Sequence, residues 1–201
     1  MLGPSRDAEV AVPRSSVPEQ PPLRGRLLVA APPLVDPNFD KTVVLMLEHG
    51  DDGGLGIILN RRSETALGDV FPEWRPVVSP PEFVFDGGPV STDAVIALAR
   101  RRHPQLEGFV QILDDLGTVD LADDPFDVGV ALVSLRVFAG YAGWAPGQLE
   151  AELEQGAWFV VTLDPADPFV TTPENLWRDV LRRQRGRLSL FANYPEDANL
   201  N

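Results

Sequence analysis

Several carboxylates stand beside glycine-rich turns, where two of them could act together as a general acid and a general base. They are Asp36, Glu48, Asp86 and Glu150. Such a pair must converge within hydrogen-bond reach of one substrate atom. The sequence does not show which of them meet, so the catalytic residues stay unknown. Turn-forming aspartates and solvated glutamates are the competing interpretation.

Other kinds of catalytic site are disfavoured by what the sequence contains. The chain has two histidines, His49 and His103, and no cysteine, whereas a catalytic zinc site takes about three protein ligands with histidine among them. It has no G-x-S-x-G nucleophile elbow. The glycine-rich stretch at 50–56 lacks the lysine and hydroxyl of a phosphate-binding P-loop. We therefore predict no metal and no cofactor.

Two groups of side chains could bind a ligand or a partner instead. Tyr141 and Trp144 lie at a turn at 140–148 and could line a small-ligand pocket together with Asp36 and Asp86, although aromatic residues also serve core packing. A partner could be bound by the basic C-terminal cluster, which includes Arg178, Arg182 and Arg183. Residues four apart share a helix face, and pairing with acids of the same chain is the alternative.

Composition narrows the class of protein. The 201 residues are 44% hydrophobic, which is enough for one domain with a true core. The absence of cysteine excludes disulfides and thiol chemistry. A net charge of −13 repels phosphate backbones and anionic lipids, so nucleic acid is an unlikely partner. No apolar run approaches the ~20 residues of a membrane span, and we expect a cytoplasmic protein without membrane contact.

The pattern of apolar and turn residues predicts strands that alternate with short helices. Strands are predicted at 27–30, 42–48, 55–60, 83–85, 95–99, 109–113, 118–121, 134–141 and 158–163. Helices are predicted at 65–71, after Asp124-Pro125, near 146–155 and from Thr172-Pro173 to about Gly186. This order indicates an α+β fold with a mostly antiparallel mixed sheet and three or four packed helices.

The same pattern predicts the domain organisation. A single domain is expected over 23–194, within which 82–121 could form a small β-rich lobe. Residues 1–22 are proline-rich and lack an apolar period, which predicts a disordered N-terminal tail, and 195–201 is predicted as a C-terminal tail.

The stretch 140–158, GYAGWAPGQLEAELEQGAW, holds a turn, a helix start and a helix stop. Gly140 and Gly143 are small enough for another backbone to approach closely. Pro146 suits the first position of a helix. Gly156 is placed for a left-handed cap at the helix end. The unit is therefore predicted to run strand, turn, helix, strand.

This stretch resembles the signature of the YqgE/AlgH family of small bacterial proteins. The segments GRLLVAAPPLVDPNFDKTVVLMLEHGDDGGLGIILNR and FDGGPV resemble two further family blocks, so that the resemblance covers 25–191. Arg62 departs from the pattern, because the family usually has proline there. The resemblance implies a cytoplasmic bacterial protein in a family named for a link to regulation of alginate exopolysaccharide synthesis, with no established catalytic residues to transfer.

Three functions remain open at this point. The first is a non-enzymatic binding or regulatory protein with a protein or small-molecule partner. The second is an enzyme that uses carboxylates in a pocket at the 140–148 turn. The third is a DNA-binding transcriptional regulator, which the negative charge opposes. The sequence leaves the ligand, the partner and the oligomeric state open.

Overall fold

The computed structural model describes residues 22–32, 34 and 36–194. Apart from residue 22, the predicted tail over 1–22 lies outside these residues, as does the tail predicted over 195–201.

The described chain forms ten strands and five short helices. The strands are β1 (Arg26–Ala30), β2 (Val43–Gly50), β3 (Gly53–Ile58), β4 (Arg62–Ala66), β5 (Phe83–Asp86), β6 (Val90–Arg101), β7 (Val110–Leu113), β8 (Leu116–Val119), β9 (Leu132–Trp144) and β10 (Trp158–Thr162). The helices are α1 (Leu67–Val70), α2 (Pro125–Gly129), α3 (Gln148–Glu154), α4 (Leu176–Arg182) and α5 (Leu188–Phe191). Single 3-10 turns occupy Pro72–Trp74, Asp167–Phe169 and Pro173–Asn175.

The strands join into one sheet that curves as a half-barrel in the order β10-β1-β2-β3-β9-β6-β8-β7. Strands β4 and β5 pair with each other, and β5 also pairs with β9 as the parallel neighbour in an otherwise antiparallel sheet. The α+β class and the mostly antiparallel sheet are thus confirmed. The helix count was wrong, because the helical segments are shorter and more numerous than predicted. The small lobe over 82–121 stays a prediction, although its strands continue the same sheet through β6 and β9.

Strand β9 is central to the architecture because three strands pair with it. It pairs with β3 on one side and with β6 on the other, and β5 pairs with it at Phe138 and Ala139. The largest buried cluster lies between the sheet and α4, whose apolar face was predicted. That face consists of Leu176, Trp177, Val180 and Leu181, all buried. The indole of Trp177 donates a hydrogen bond to the carbonyl of Ala30 at 2.9 Å.

Some helix boundaries lie where their capping residues predict them, and others do not. Asp124 caps α2 by accepting from the Phe126 amide at 2.8 Å, as predicted. Gly156 has φ +74 and ends α3 with the predicted left-handed cap. Pro146 is not helical, because Gly147 takes φ +75 and α3 begins only at Gln148. Thr172 makes no side-chain cap, since a 3-10 turn separates it from α4.

The helix predicted over 65–71 is shorter than expected, because part of that stretch is a strand. Residues up to Ala66 belong to β4, which pairs with β5. Helix α1 therefore begins at Leu67 and ends before Phe71.

The close backbone approach predicted for the 140–158 stretch occurs at Gly140. Gly140 has φ +71, and a Cβ there would lie 2.5 Å from the carbonyl oxygen of Gly88. A Cβ at Gly87 would lie 2.2 Å from the carbonyl oxygen of Gly140. Gly143 was wrongly predicted to need its small size, since a Cβ there would meet only ordinary contacts at 3.6 Å or more. The Gly87-Gly88 turn therefore rests directly on the backbone of β9.

Candidate functional site

A polar cleft of about 680 Å³ lies where β3 leads into β4, beside the end of β5 and the segment that precedes α4. Its lining consists of Asn60, Arg61, Arg62, Pro81, Asp86, Thr171, Pro173 and Glu174. A narrower pocket of about 220 Å³ shares Arg61 and Asp86 with the cleft. This pocket adds Asn38, Thr92 and the Gly88-Pro89 backbone. The two spaces adjoin at Arg61 and Asp86, and we treat them together as one candidate site, which we call the arginine cleft.

Hydrogen bonds to the backbone hold the β3–β4 loop in place. The Asn60 side chain accepts from the Val43 amide at 2.8 Å and donates to the Lys41 carbonyl at 2.9 Å. Arg61 donates through Nη2 to the Pro37 carbonyl at 2.9 Å. The Asp86 amide donates to the carbonyl of Arg61 at 2.8 Å. Asp86 is thereby fixed beside Arg61, and the Gly87-Gly88 turn that follows it rests on β9.

The charged side chains of the arginine cleft are not held in ion pairs within the described ranges of the chain. In the described residues, no ion pair involves Arg61, Arg62, Asp86 or Glu174. The guanidinium of Arg62 lies 4.3 Å from the centroid of the Phe83 ring, which orients it without consuming its hydrogen-bond donors. A guanidinium binds carboxylate and phosphate groups through two parallel hydrogen bonds. The lining therefore offers two donor forks and two carboxylate acceptors to a ligand.

A third arginine lies buried behind the wall of this cleft. Arg136, on β9, donates to the carbonyls of Pro80, Pro168 and Val170 at 2.7 to 3.0 Å. Its guanidinium lies 4.3 Å from the centroid of the Phe85 ring. Pro80, Val170 and Phe85 each immediately precede a cleft-lining residue in the sequence.

Among the described residues, the charge of Arg136 is offset by carbonyl dipoles and by the face of the Phe85 ring. No carboxylate pairs with it, and its Nε has no hydrogen-bond partner within the part of the chain that the structure describes. Burial lowers the pKa of Arg136 to about 10, which leaves the side chain positive at neutral pH. A low-dielectric interior screens such a charge weakly. Arg136 therefore adds positive potential behind the arginine cleft.

Sequence reasoning missed Arg61, Arg62 and Arg136. A signal for Arg136 was available in the sequence. Arg136 lies within a predicted strand among the apolar residues Leu135, Val137 and Phe138, all of which are buried. An arginine at such a position must find buried acceptors. Arg61 and Arg62 were noted only for a departure from the family pattern.

The predicted ligand-binding residues are distributed between the cleft and the core. Asp86 lines the arginine cleft. Asp36 accepts from the Asn38 amide at 2.8 Å, which forms the turn that carries Asn38 into the narrower pocket. Tyr141 is half-buried against the main core. Trp144 is buried and donates to Glu152 at 2.9 Å. The binding roles given to the four residues stay predictions.

The other two predicted carboxylates, Glu150 and Glu48, lie elsewhere in the fold. His49 and Glu150 lie 3.0 Å apart between the β2–β3 hairpin and α3. Glu48 lines an open, largely apolar groove of about 770 Å³ along β2, β6, β7 and β8. Neither Glu48 nor Glu150 is among the lining residues of the arginine cleft, and a catalytic acid pair among the predicted carboxylates stays a prediction.

The basic cluster on α4 is largely engaged within the chain. Arg183 forms a two-pronged ion pair with buried Asp167, and this hydrogen bonding raises the pKa of Arg183 despite its partial burial. Arg182 pairs with Asp179 at 3.0 Å. Arg178 has an interaction partner as well. Partner binding by these arginines stays a prediction.

Within 22–32, 34 and 36–194, no group of three or more His, Asp or Glu side chains is placed to hold a metal ion. No helix in these ranges is both long and apolar enough to cross a membrane.

Comparison with known sequences gives one consistent family. A model of the AlgH-like family matches residues 27–189. A UPF0301 protein of Streptomyces coelicolor is 46% identical over 194 residues, which covers 93% of this chain and 100% of that protein. A UPF0301 protein of Thermobifida fusca is 48% identical over 189 residues and covers 89% of this chain and 96% of its own length.

Two solved structures are similar to this one. A crystal structure of a Corynebacterium diphtheriae protein has a TM-score of 0.80 at 34% identity, over 88% of this chain and 94% of that chain. The solution structure of the AlgH protein from Pseudomonas aeruginosa has a TM-score of 0.65 at 31% identity, over 92% of this chain and 100% of that chain.

Proposed function

The chain belongs to the AlgH-like family, and we propose that it is a non-enzymatic binding protein that holds a small anionic molecule in the arginine cleft. The observation that carries this proposal is the pair of neighbouring arginines, Arg61 and Arg62, that line one cleft without an ion-pair partner in the described chain. Guanidinium groups left in this state are the usual protein ligands of carboxylates and phosphates.

The buried charge of Arg136 strengthens the preference for an anion. It contacts three points of the cleft wall, the carbonyls of Pro80 and Val170 and the ring of Phe85, and none of these contacts carries a negative charge. An anion in the cleft would be stabilised by this fixed charge without displacing any of its hydrogen bonds.

The two carboxylates restrict which anions can bind. Asp86 and Glu174 line the same cleft and would repel a densely charged polyanion. They accept hydrogen bonds from hydroxyl or ammonium groups. The lining therefore fits a small molecule with one carboxylate or phosphate at one end and hydroxyl or amino groups at the other. A nucleic acid fits poorly, because the net charge of −13 also repels it.

Binding is favoured over turnover by the surroundings of the cleft hydroxyls. Thr92 and Thr171 are exposed residues of this site, and among the described residues neither makes a hydrogen bond to a histidine or carboxylate. An activated hydroxyl nucleophile needs such a base within reach. The arrangement supplies recognition groups rather than a nucleophile and its base.

The proposal is tested by amide NMR titration of the protein with inorganic phosphate, citrate and glucose 6-phosphate. We expect at least one of these anions to shift the signals of residues 60–62, 86–88 and 171–174. The Arg62→Gln variant should weaken that binding at least ~10-fold, since a lost charged contact costs about 1.5–3 kcal/mol.

Arg182→Gln is the matched control, because Arg182 is an exposed arginine on α4 that is not among the lining residues of the cleft. It should bind the same anion with unchanged affinity. Absence of binding by all three anions, or equal binding by Arg62→Gln, would overturn the proposal. New product signals from the titrated anion would favour the carboxylate enzyme instead.

A further inference from the structure

A second surface of the molecule exposes large apolar side chains around α2. Phe126 is 80% exposed, Val130 is 70% exposed and Val133 is 51% exposed. Together with Pro76 and Val77 they line a groove of about 490 Å³. We call this surface the α2 groove. Contiguous apolar surface of this kind is uncommon on a protein unless something binds there.

The geometry of the backbone explains why these side chains point outward. Asp124 caps α2, and the helix then buries Val128 against the sheet, which directs Phe126 to the opposite side. In β9 the side chains alternate, so that burial of Leu132 exposes Val133. Folding therefore needs apolar residues at 128 and 132 but not at 126, 130 or 133. A polar residue at each of these three positions would satisfy the fold equally well.

The rim of the α2 groove is mainly acidic. Glu73 lines the groove, and Asp123, Asp124 and Asp127 are exposed on or beside α2. Two arginines stand nearby. Arg75 is paired with Glu82 at 3.0 Å, and Arg102 donates to the Leu132 carbonyl at 3.2 Å. A partner at this surface therefore meets an apolar centre beside which the acidic side chains outnumber the basic ones.

We propose that the α2 groove is an interaction surface for a protein segment that presents apolar side chains flanked by lysine or arginine, such as a basic amphipathic helix. The apolar anchors fill the space between Pro76, Phe126 and Val130, and the flanking cations meet the carboxylates of the rim. A helix offers such anchors at positions i, i+3, i+4 and i+7. The groove shares no lining residue with the arginine cleft, so the two surfaces can be occupied together.

The charge pattern selects this partner over other occupants. A second copy of the chain docked face to face would bring its own acidic side chains, including Glu73 and Asp127, towards the acidic side chains beside this groove. Like charges brought together at an interface cost several kcal/mol. Anionic membranes and nucleic acids meet the same repulsion.

A fluorescein-labelled synthetic peptide provides the test. The probe is an amphipathic helix with leucine at i, i+3, i+4 and i+7 and with lysine and arginine on both flanks, and binding to the full chain is measured by fluorescence anisotropy at low salt. Phe126→Ser and Val130→Ser should each weaken binding at least ~10-fold, as truncated interface anchors usually do. Amide NMR should place the peptide on residues 76–77 and 126–133.

Leu190→Ser is the matched control variant, because Leu190 is 71% exposed on α5 and does not line the groove. It should bind the basic peptide as the unchanged chain does. A second peptide, in which glutamate replaces each lysine and arginine, should not bind. Thermal melts followed by circular dichroism verify that all three variants are folded.

Any one of the following results would overturn the proposal. These results are equal binding of the acidic peptide, failure of the basic peptide to bind, and a basic-peptide affinity that Phe126→Ser leaves unchanged. Concentration-dependent dimerisation in sedimentation experiments that Phe126→Ser abolishes would assign the groove to a second copy instead. Sedimentation with phosphatidylglycerol vesicles that depends on Phe126 would assign it to a membrane.

Discussion

The end of helix α4 and the start of strand β4 both carry neighbouring arginines, yet their surroundings differ. At the end of α4, Arg183 is held by buried Asp167 and Arg182 by Asp179. At the start of β4, no carboxylate of the described chain pairs with Arg61 or Arg62. The denser cluster in the sequence is therefore the more structural one. Availability of an arginine for a ligand depends on which acids the fold brings near it, and sequence spacing does not report this.

The largest expected effect comes from disturbing the base of the arginine cleft. Gly88 has φ +153, and a Cβ there would lie 2.2 Å from the backbone carbon of Tyr141. Since neither backbone can move cheaply, Gly88→Ala should lower the free energy of unfolding by more than about 3 kcal/mol. Urea denaturation followed by tryptophan fluorescence measures this change.

Gly143→Ala is the control for that experiment, because a Cβ at 143 meets only ordinary contacts. Its free energy of unfolding should stay within ~0.5 kcal/mol of the original chain. Equal losses of unfolding free energy in the two variants would show that the close approach between the Gly88 turn and the β9 backbone does not stabilise this part of the fold.

A smaller loss of folding stability is expected when the acids that pair with Arg182 and Arg183 are removed. Asp167 is 3% exposed and accepts from both Arg183 and the Asp164 amide. Asp167→Ala should lower the free energy of unfolding by about 2–3 kcal/mol, because charged hydrogen bonds are lost at a buried site. Asp179→Ala removes only an exposed pair and should cost less than ~1 kcal/mol. Thermal and urea unfolding of the two variants check the difference, and equal costs would contradict it.

The smallest effect on folding stability is expected for a variant of the arginine cleft, and this variant distinguishes Arg62 most clearly from Arg183. Arg62→Gln should change the free energy of unfolding by no more than ~0.5 kcal/mol, since its side chain is exposed and has no ion pair in the described chain. It should nevertheless lose anion binding. Arg183→Gln should show the opposite pattern, with lower stability and unchanged anion affinity.

Urea denaturation of these two variants measures their stability, and anion titration of the same variants measures their affinity. A loss of stability in Arg62→Gln as large as that in Arg183→Gln would remove the distinction between a ligand-binding and a structural arginine.

The parts of the fold that the sequence predicted are those set by neighbouring residues. The cap by Asp124 and the left-handed end at Gly156 require only a few consecutive residues, and both were predicted. The start of α3 was misplaced because Pro146 and Gly147 compete for the same boundary, and the positive φ of Gly147 prevails. Local rules do not rank such competing signals.

The arginine cleft could not be predicted in this way because its walls come from distant parts of the chain. Arg61 and Asp86 are brought together by the pairing of β3 and β5 with β9, and Glu174 comes from the turn before α4, which no local pattern specifies. Asp86 was singled out only because of its position beside a glycine turn, and its ligand-binding role stays a prediction. Arg136 looked like an ordinary strand residue until its carbonyl partners at 80, 168 and 170 were in place.

The position of β9 at residues 132–144 also has a consequence for biosynthesis. Strand β3 ends at Ile58, so the β1–β3 segment leaves the ribosome long before the strand that covers its open edge has been made. Sheets closed by such distant partners form slowly, on the order of milliseconds to seconds. Until β9 arrives, the unpaired edge of β3 can recruit strands from other nascent chains. We therefore expect production yield in cells to depend on chaperone supply more than the stability of the finished protein would indicate.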